Sequence, residues 1–338
     1  MTPFPAQSIL GIDIAKAKLD THFQRVGASD KPVHRCYDNT AVGHEQLINW
    51  LASQQVGQLH VCLEATGTYG RAVALRLHQA GYRVSIVNPL RIKRYGESEL
   101  LRVKTDRSDA ALIARFCLTQ QPAAWTPPSQ EQQQLQDLVR CLQDLLRLQQ
   151  QQRCRLHSGP QAAAVAQVNT TVLSCLHTQI ASLRQQIEAH ILAHESLKTC
   201  YDLLLSICGI GPHTAMLLMG ELGDLSRFAS VRAVVAYVGL APQPHRSGSS
   251  VHGPSPICKH GQAVIRQALY FPAMSAARHN PAIRALYQRL LAAGKPKMVA
   301  LVAAMRKLLH QIYGVLRSGQ VFDRAHVSHR PVRAATPS

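Results

Sequence analysis

The sequence predicts an α/β domain at its N-terminal end followed by two mostly helical segments. Three observations carry this. Short β-rich runs alternate with helical spacing up to residue 125, leucines recur at three/four spacing through a glutamine-rich middle, and the last third is apolar helix interrupted by turn signals. At 338 residues the chain is long enough for two or three such units rather than one core. Hydrophobic residues make up 46% and charged residues 17%, a folding composition that excludes disorder as the whole account.

In order, Ser8–Ile14 (SILGIDI) is a short β-rich run, and Leu19–Val26 and Lys31–Tyr37 are candidate strands after it. Three strands in a row read as an antiparallel meander. His44–Leu51 has helical spacing, Gln58–Glu64 is an apolar strand and Tyr69–Gln79 an amphipathic helix. Arg83–Val87 is a further strand, closed by Asn88-Pro89, and Ser108–Gln120 is a helix. The order β-β-β-α-β-α-β-α is that of an RNase H-like fold, in which three antiparallel strands are extended by two parallel ones. A doubly wound nucleotide-binding domain competes, but its Gly-rich turn is missing: Gly11 precedes Asp13 within the strand and no GxGxxG follows. The α/β domain is assigned to residues 1–125.

Gln121–Ser129 (QPAAWTPPS) is a linker. Ten of the residues from Gln130 to Gln152 are glutamine, yet Leu135, Leu138, Leu142 and Leu145 recur at three/four spacing. Val172, Leu176, Ile180, Leu183 and Ile187 do so again after a break at Ser158-Gly159-Pro160. Two long helices with narrow apolar seams over 126–200 predict a helical hairpin or a coiled coil, buried either within the chain or against a second copy.

Residues 201–322 read as a mostly α-helical unit, and 323–338 as a disordered tail. Within Leu203–Gly211 (LLLSICGIG), Gly209-Ile210-Gly211 before a helix is the signature of a helix-hairpin-helix turn. Backbone N–H groups of such a turn form a sequence-indifferent phosphate site, although a plain helix-ending glycine accounts for the same residues. The Gly- and Ser-rich loop Ala241–Gly261 is long for a compact domain, which points to function.

The formal charge is +18, from 37 Lys and Arg against 19 Asp and Glu, and it is unevenly spread. Residues 1–125 hold 15 basic and 10 acidic side chains, 126–200 hold 6 and 5, and 201–338 hold 16 and 4. Between Asp224 and Asp323 no carboxylate occurs, while 13 Lys and Arg punctuate the stretch. A surface that is only soluble interleaves both signs, so a polyanion such as nucleic acid is the expected partner. No run approaches the ~18 uninterrupted apolar residues of a membrane span, and MTPFPAQSILGID lacks a basic n-region, so a cytoplasmic protein without a membrane partner is expected. Nine cysteines, odd in number and without a CxxC, fit reduced thiols in apolar positions rather than disulfides or a zinc knuckle.

Four carboxylates of the first domain fall where a metal-dependent nuclease needs them. Asp13 sits in the first strand, Glu64 ends the fourth, and Asp106 and Asp109 (KTDRSDA) share one helix face at i and i+3. The first and fourth strands neighbour each other in such a sheet, so the four acids can converge. Gathered in one pocket they repel unless cations neutralise them, and two Mg²⁺ ions, with Mn²⁺ as a substitute, would polarise a phosphodiester there. A second constellation is Ser247-Gly248-Ser249-Ser250, flanked by His245 and Arg246. A serine hydroxyl attacks phosphate only with a base, a metal or cations beside it, so the local sequence fits a nucleophile and a plain flexible loop alike.

GIDIAKAKLD, EATGTY, NPLRIKRY with KTDRSDAALIA, GIGPHTA, GELGDLSRF, AYVGLAPQPHRSG, ICKHGQAVIRQALY and MRKLLHQIYGVLRSG occur in that order between Gly11 and Gly319. Together they resemble the DEDD transposases of the insertion-sequence one-ten family, relatives of the Piv-type DNA invertases and of bridge-RNA-guided recombinases. The resemblance implies a RuvC-like RNase H domain, a coiled-coil insertion and a C-terminal transposase domain with a nucleophilic serine. It places the DEDD set on Asp13, Glu64, Asp106 and Asp109 and the serine on Ser247. It also implies donor and target DNA, a structured bridge RNA, and a homodimer or homotetramer whose carboxylate and serine sites combine across protomers. Gly209, Gly211, Arg246 and Lys259 are the candidate nucleic-acid contacts. The competing readings are a hydrolytic RuvC-like nuclease and a non-catalytic nucleic-acid-binding protein.

Overall fold

The computed structural model describes residues 8–27, 31–65, 67–99, 105–159, 162–243, 246–247, 251–252, 256–259 and 261–323. The tail expected over 323–338 lies outside these beyond Asp323, as do Gly248–Ser250 of the serine loop. The chain divides into two compact units, Met1–Pro127 and Pro128–Ser338.

The first unit is built on strands β1 (Ser8–Ile14), β2 (Lys18–Arg25), β3 (Val33–Asp38), β4 (Leu59–Glu64) and β5 (Arg83–Val87). They form one sheet in the order β3-β2-β1-β4-β5. The β3-β2-β1 pairs are antiparallel and the β1-β4-β5 pairs parallel, which is the RNase H-like arrangement. Helices α1 (Ala41–Ser53) and α2 (Arg71–Gln79) supply Leu47, Leu51, Val73 and Leu77 to one face, against Leu10, Ile12, Val61 and Leu63. The other face carries Ile9, Cys62 and Val87, covered by Ile92 of α3 (Pro89–Ser98) and by Ile113, Ala114 and Cys117 of α4 (Asp106–Gln120). Side chains alternate along a strand, so the residues two apart from Ile9, namely Gly11 and Asp13, also face α4. Helix α3 was not foreseen. Asn88 caps it by accepting from Leu90 N at 2.8 Å, with Pro89 in its first turn, so the Asn-Pro pair read as a strand stop is also a helix start.

The second unit begins with α5 (Gln130–His157) and α6 (Ala163–Ala193), which pack antiparallel: His190 Nε2 lies 2.9 Å from the Glu131 carbonyl at one end, and Arg153 Nη2 lies 3.1 Å from His177 Nε2 further along. Then follow α7 (Glu195–Ser206), α8 (Pro212–Leu222), a 3₁₀ turn at Leu225–Arg227, α9 (Val231–Val238), the two-residue strands β6 (Arg246–Ser247) and β7 (Val251–His252), α10 (Ala263–Ala268), α11 (Tyr270–His279), α12 (Pro281–Ala292) and α13 (Lys297–Ser318). One apolar core runs from Leu135 of α5 through Ile187 and Leu218 to Leu308 and Ile312 of α13, so the helical middle from residue 128 and the segment 201–322 lie within one unit. The glutamines of α5 contribute to it: Gln132 Nε2 donates to Met219 O at 2.8 Å and Gln136 Nε2 to Gly220 O at 3.1 Å, satisfying carbonyls at the end of α8. Only the part of the hairpin near this core is buried. Leu142 is buried, whereas Leu148, Val165, Val168 and Val172 beyond it are exposed.

Helix α13 is, among the described residues, the one helix long and apolar enough to cross a bilayer by length and composition. Its apolar side, including Ala304, Leu308, Leu309 and Ile312, is spent on the core of this unit.

Candidate functional site

Asp13 stands near the end of β1, half-buried, directly opposite Asp20 of β2 in the antiparallel register. On the parallel side Ile12 pairs with Leu63, which sets Glu64 at the end of β4 beside Asp13 and on the same sheet face. Helix α4 delivers the other two acids. Thr105 caps it: its Oγ1 accepts from Ser108 N at 3.1 Å while Ser108 Oγ accepts from Thr105 N at 2.8 Å. Asp106 and Asp109 therefore both fall in the first helical turn, where the macrodipole favours carboxylates.

What lets this turn reach Asp13 is Gly11. A Cβ placed there would lie 2.3 Å from Ala110 O and 2.4 Å from Ala114 N, so the α4 backbone rests directly on β1. Ala110 immediately follows Asp109, and the close approach brings that carboxylate over the strand end. The consequence is electrostatic. Burial first, then the charge of Asp109, and after it those of Asp106 and Asp20, push the Asp13 carboxyl above the usual range, against the hydrogen bond it accepts from Ile14 N at 3.0 Å.

Two groups at this corner were missed by sequence reasoning. Asp20 is a fifth carboxylate, buried, with Lys18 Nζ at 3.1 Å and His34 Nε2 at 3.2 Å. Lys18 Nζ also lies 2.5 Å from Asp106 Oδ2, and this bond holds the Asp106 carboxyl below its usual range. Lys18 itself is held well above the ordinary lysine range by the two acids. The signal was present in the alternation of AKAKLD: two residues on, Lys18 and Asp20 share a strand face, and a hairpin back from Asp13 turns that face onto the acids.

A hard divalent cation fits this donor set. The groups are carboxylate oxygens, and the like charges that raise Asp13 are those such an ion would neutralise. Among the described residues, no three Asp, Glu, His or Cys side chains stand close enough together to hold a metal ion between them. Asp106 is engaged by Lys18 instead.

Ser247 belongs to the second unit. It lies in β6 opposite Val251 of β7, with Arg246 opposite His252. The arm carrying them leaves the C-terminal end of α9 and returns beside it: Pro242 and Ile257 form a bridge, Gln243 N donates to Pro256 O at 2.7 Å, and Cys258 N to Ala241 O at 2.9 Å. Lys259 is exposed with φ 53°, and its N–H donates to Gly239 O. Arg266 Nη1 fastens the base of the arm, donating to Val238 O at 2.8 Å and Gly261 O at 3.2 Å. In the turn between α7 and α8, Gly209 has φ 107°, and a Cβ there would meet Pro272 O at 2.8 Å, so packing against α11 already accounts for that glycine. Gly211 is the N-cap of α8 and has no such neighbour.

A transposase family model matches residues 10–159, and the model described as Transposase IS116/IS110/IS902 family matches residues 201–288. The pilin gene-inverting protein of Moraxella bovis is 34% identical over 94% of this chain and 98% of its own length. The transposase for insertion sequence element IS1111A of Coxiella burnetii is 26% identical over 80% of this chain and 78% of its own. Among solved structures, Thermus thermophilus RuvC in complex with a Holliday junction substrate matches 35% of this chain and 98% of that chain at 14% identity, with a TM-score of 0.27. The inverting protein, matched along nearly its whole length, and the two family models agree with the resemblance read from the ordered motifs, and the chain belongs to the IS116/IS110/IS902 family of transposases.

Proposed function

We propose that this transposase moves its own insertion element by metal-assisted strand exchange, with Asp13, Glu64, Asp106 and Asp109 holding divalent metal and Ser247 as the nucleophile. The observation that carries the reading is the close approach of the α4 backbone to Gly11 of β1, which sets the helix turn bearing Asp106 and Asp109 at the end of the strand that carries half-buried Asp13. Four acids at the end of a parallel strand pair and the start of a helix are costly to hold together as anions, and a cation offsets that cost. Two Mg²⁺ ions, or Mn²⁺ in their place, would supply charge to a phosphodiester and stabilise the attacking and leaving oxygens.

Ser247 Oγ then forms a bond to phosphorus as the deoxyribose oxygen leaves, its proton passing to solvent or a neighbouring base. The phosphoserine link keeps the bond energy, and a strand hydroxyl from the second DNA reverses the step to rejoin. Exchange at two sites in this manner also accounts for the inversion that gives the Moraxella relative its name. The carboxylate-free stretch from Asp224 to Asp323 supports a polyanion on the second unit. Donor and target DNA, a structured bridge RNA paired to both, and phosphate contacts from Gly209, Gly211, Arg246 and Lys259 complete this reading. A homodimer or homotetramer brings the acids of one protomer to the serine of another.

The test is a denaturing gel of purified protein, with its co-purifying RNA, incubated with Mg²⁺ and labelled DNA spanning the element's junction. A protein–DNA adduct is expected, lost in both Ser247→Ala and Asp106→Asn. Cutting without an adduct, or cutting retained in Ser247→Ala, replaces the serine mechanism by water-driven hydrolysis.

A further inference from the structure

Lys18 occupies an unusual place for a lysine. It opens β2, directly after the turn in which Ala15 N donates to Lys18 O, and its strand neighbour on the same face is Asp20, itself opposite Asp13. Its ammonium lies 3.1 Å from Asp20 Oδ2 and 2.5 Å from Asp106 Oδ2, although 88 residues separate it from the latter. Asp20 is buried and fixed by the sheet, whereas Asp106 is exposed at the helix start. The lysine is thus anchored by one acid and lays its charge on the other.

We infer that Lys18 is a positioning residue that competes with divalent metal for Asp106. The inference rests on the reading that the four acids hold metal. An ammonium bonded to a carboxylate oxygen occupies an electron pair that a metal ion needs, so Asp106 can join the site only as Lys18 lets go. Asp20 keeps the released ammonium at the rim, where it can meet an oxygen of the scissile phosphate. Metal binding is therefore weakened while the site is without nucleic acid, and the full set of donors assembles when a phosphate takes the lysine's charge. Such a device keeps a nuclease-type centre poorly loaded until its strand arrives.

The experiment is a Mn²⁺ titration of the full-length protein without DNA, with free ion followed by electron paramagnetic resonance. Lys18→Met is expected to bind Mn²⁺ about two- to fivefold more tightly than the wild type, the scale of one exposed ion pair removed. Lys18→Arg, which keeps the charge, is expected to match the wild type. A merely structural lysine would give the opposite sign, since its loss would loosen the corner. Lys18→Gln is measured beside Lys18→Met, with the tryptophan fluorescence of Trp50 and Trp125 reporting that the first unit is folded. Unchanged or weaker affinity in the folded neutral variants overturns the inference. Asp106→Asn separates the two levels: if it weakens Mn²⁺ binding while the lysine variants do not tighten it, only the role of Lys18 falls; if Asp106→Asn has no effect, the metal reading itself falls.

Discussion

The carboxylate corner of the first unit and the serine arm of the second are supported in opposite ways. Each acid of the corner is set by regular structure: Asp13 and Glu64 by strand register, Asp106 and Asp109 by a capped first helical turn, and all of them by a helix resting on bare strand backbone. The arm is a ladder of two-residue strands joined to its unit by a few backbone bonds and by Arg266. Charge divides the same way, with the acids gathered at one corner and no carboxylate at all across the stretch containing the arm. The two halves of the proposed chemistry therefore rest on different kinds of support. On the roles proposed above, donors fixed against their own repulsion suit a metal site, and a short hydrogen-bonded ladder suits a nucleophile that must reach a phosphate.

One added methyl group is enough to undo the support of the corner. Gly11→Ala drives a Cβ into Ala110 O and Ala114 N, backbone atoms that cannot rotate away, and is expected to destabilise the first unit by about 3 kcal/mol. Both tryptophans of the chain, Trp50 and Trp125, lie in that unit, so fluorescence-detected urea unfolding reads it alone. An unfolding midpoint unchanged by Gly11→Ala would mean that α4 does not rest on β1 as described.

Much of the corner was legible because strand and helix periods constrain where side chains point. The GID and CLE words, placed on neighbouring strands, put Asp13 and Glu64 side by side on one sheet face, and the i, i+3 spacing of Asp106 and Asp109 puts them on one helix face. Lys18 and Asp20 were not picked out, because a charged pair after a turn looks like ordinary surface until the antiparallel register shows that it folds back onto Asp13. Gly11 was read only for the nucleotide-binding turn it does not make; its actual role depends on a helix about a hundred residues away, a contact that local pattern does not encode. In the middle of the chain, the leucine seam was visible, but not that its core-side half is shared with α8 and α13 while Leu148, Val165 and Val168 stay exposed.

A smaller effect sharpens the argument for the helix start. Thr105→Ala removes one half of the capping box that sets the phase of Asp106 and Asp109, and is expected to cost about 1 kcal/mol in the same unfolding assay. Thr105→Ser restores the hydroxyl and is expected to recover most of it, which distinguishes capping from loss of packing.

The smallest expected effect has the opposite sign. Asp13 titrates above its ordinary value of 3.8 in the folded chain, so the folded state holds that proton more tightly than the unfolded one. Its contribution is favourable at pH below 3.8 and is lost as pH rises through the higher folded value, leaving a penalty at neutral pH. Asp106 is displaced the other way by Lys18, so its contribution is present above 3.8 and is lost as pH falls through its lower folded value. Asp13→Asn is therefore expected to raise the melting temperature at pH 7, to remove the loss of stability just above pH 3.8, and to leave the acid-side loss in place. Melting curves between pH 3 and pH 8 on metal-free protein measure all three. A lower melting temperature for Asp13→Asn at pH 7 would mean that the ionised carboxylate stabilises the corner, and that the acids are held there by partners other than the strain between them.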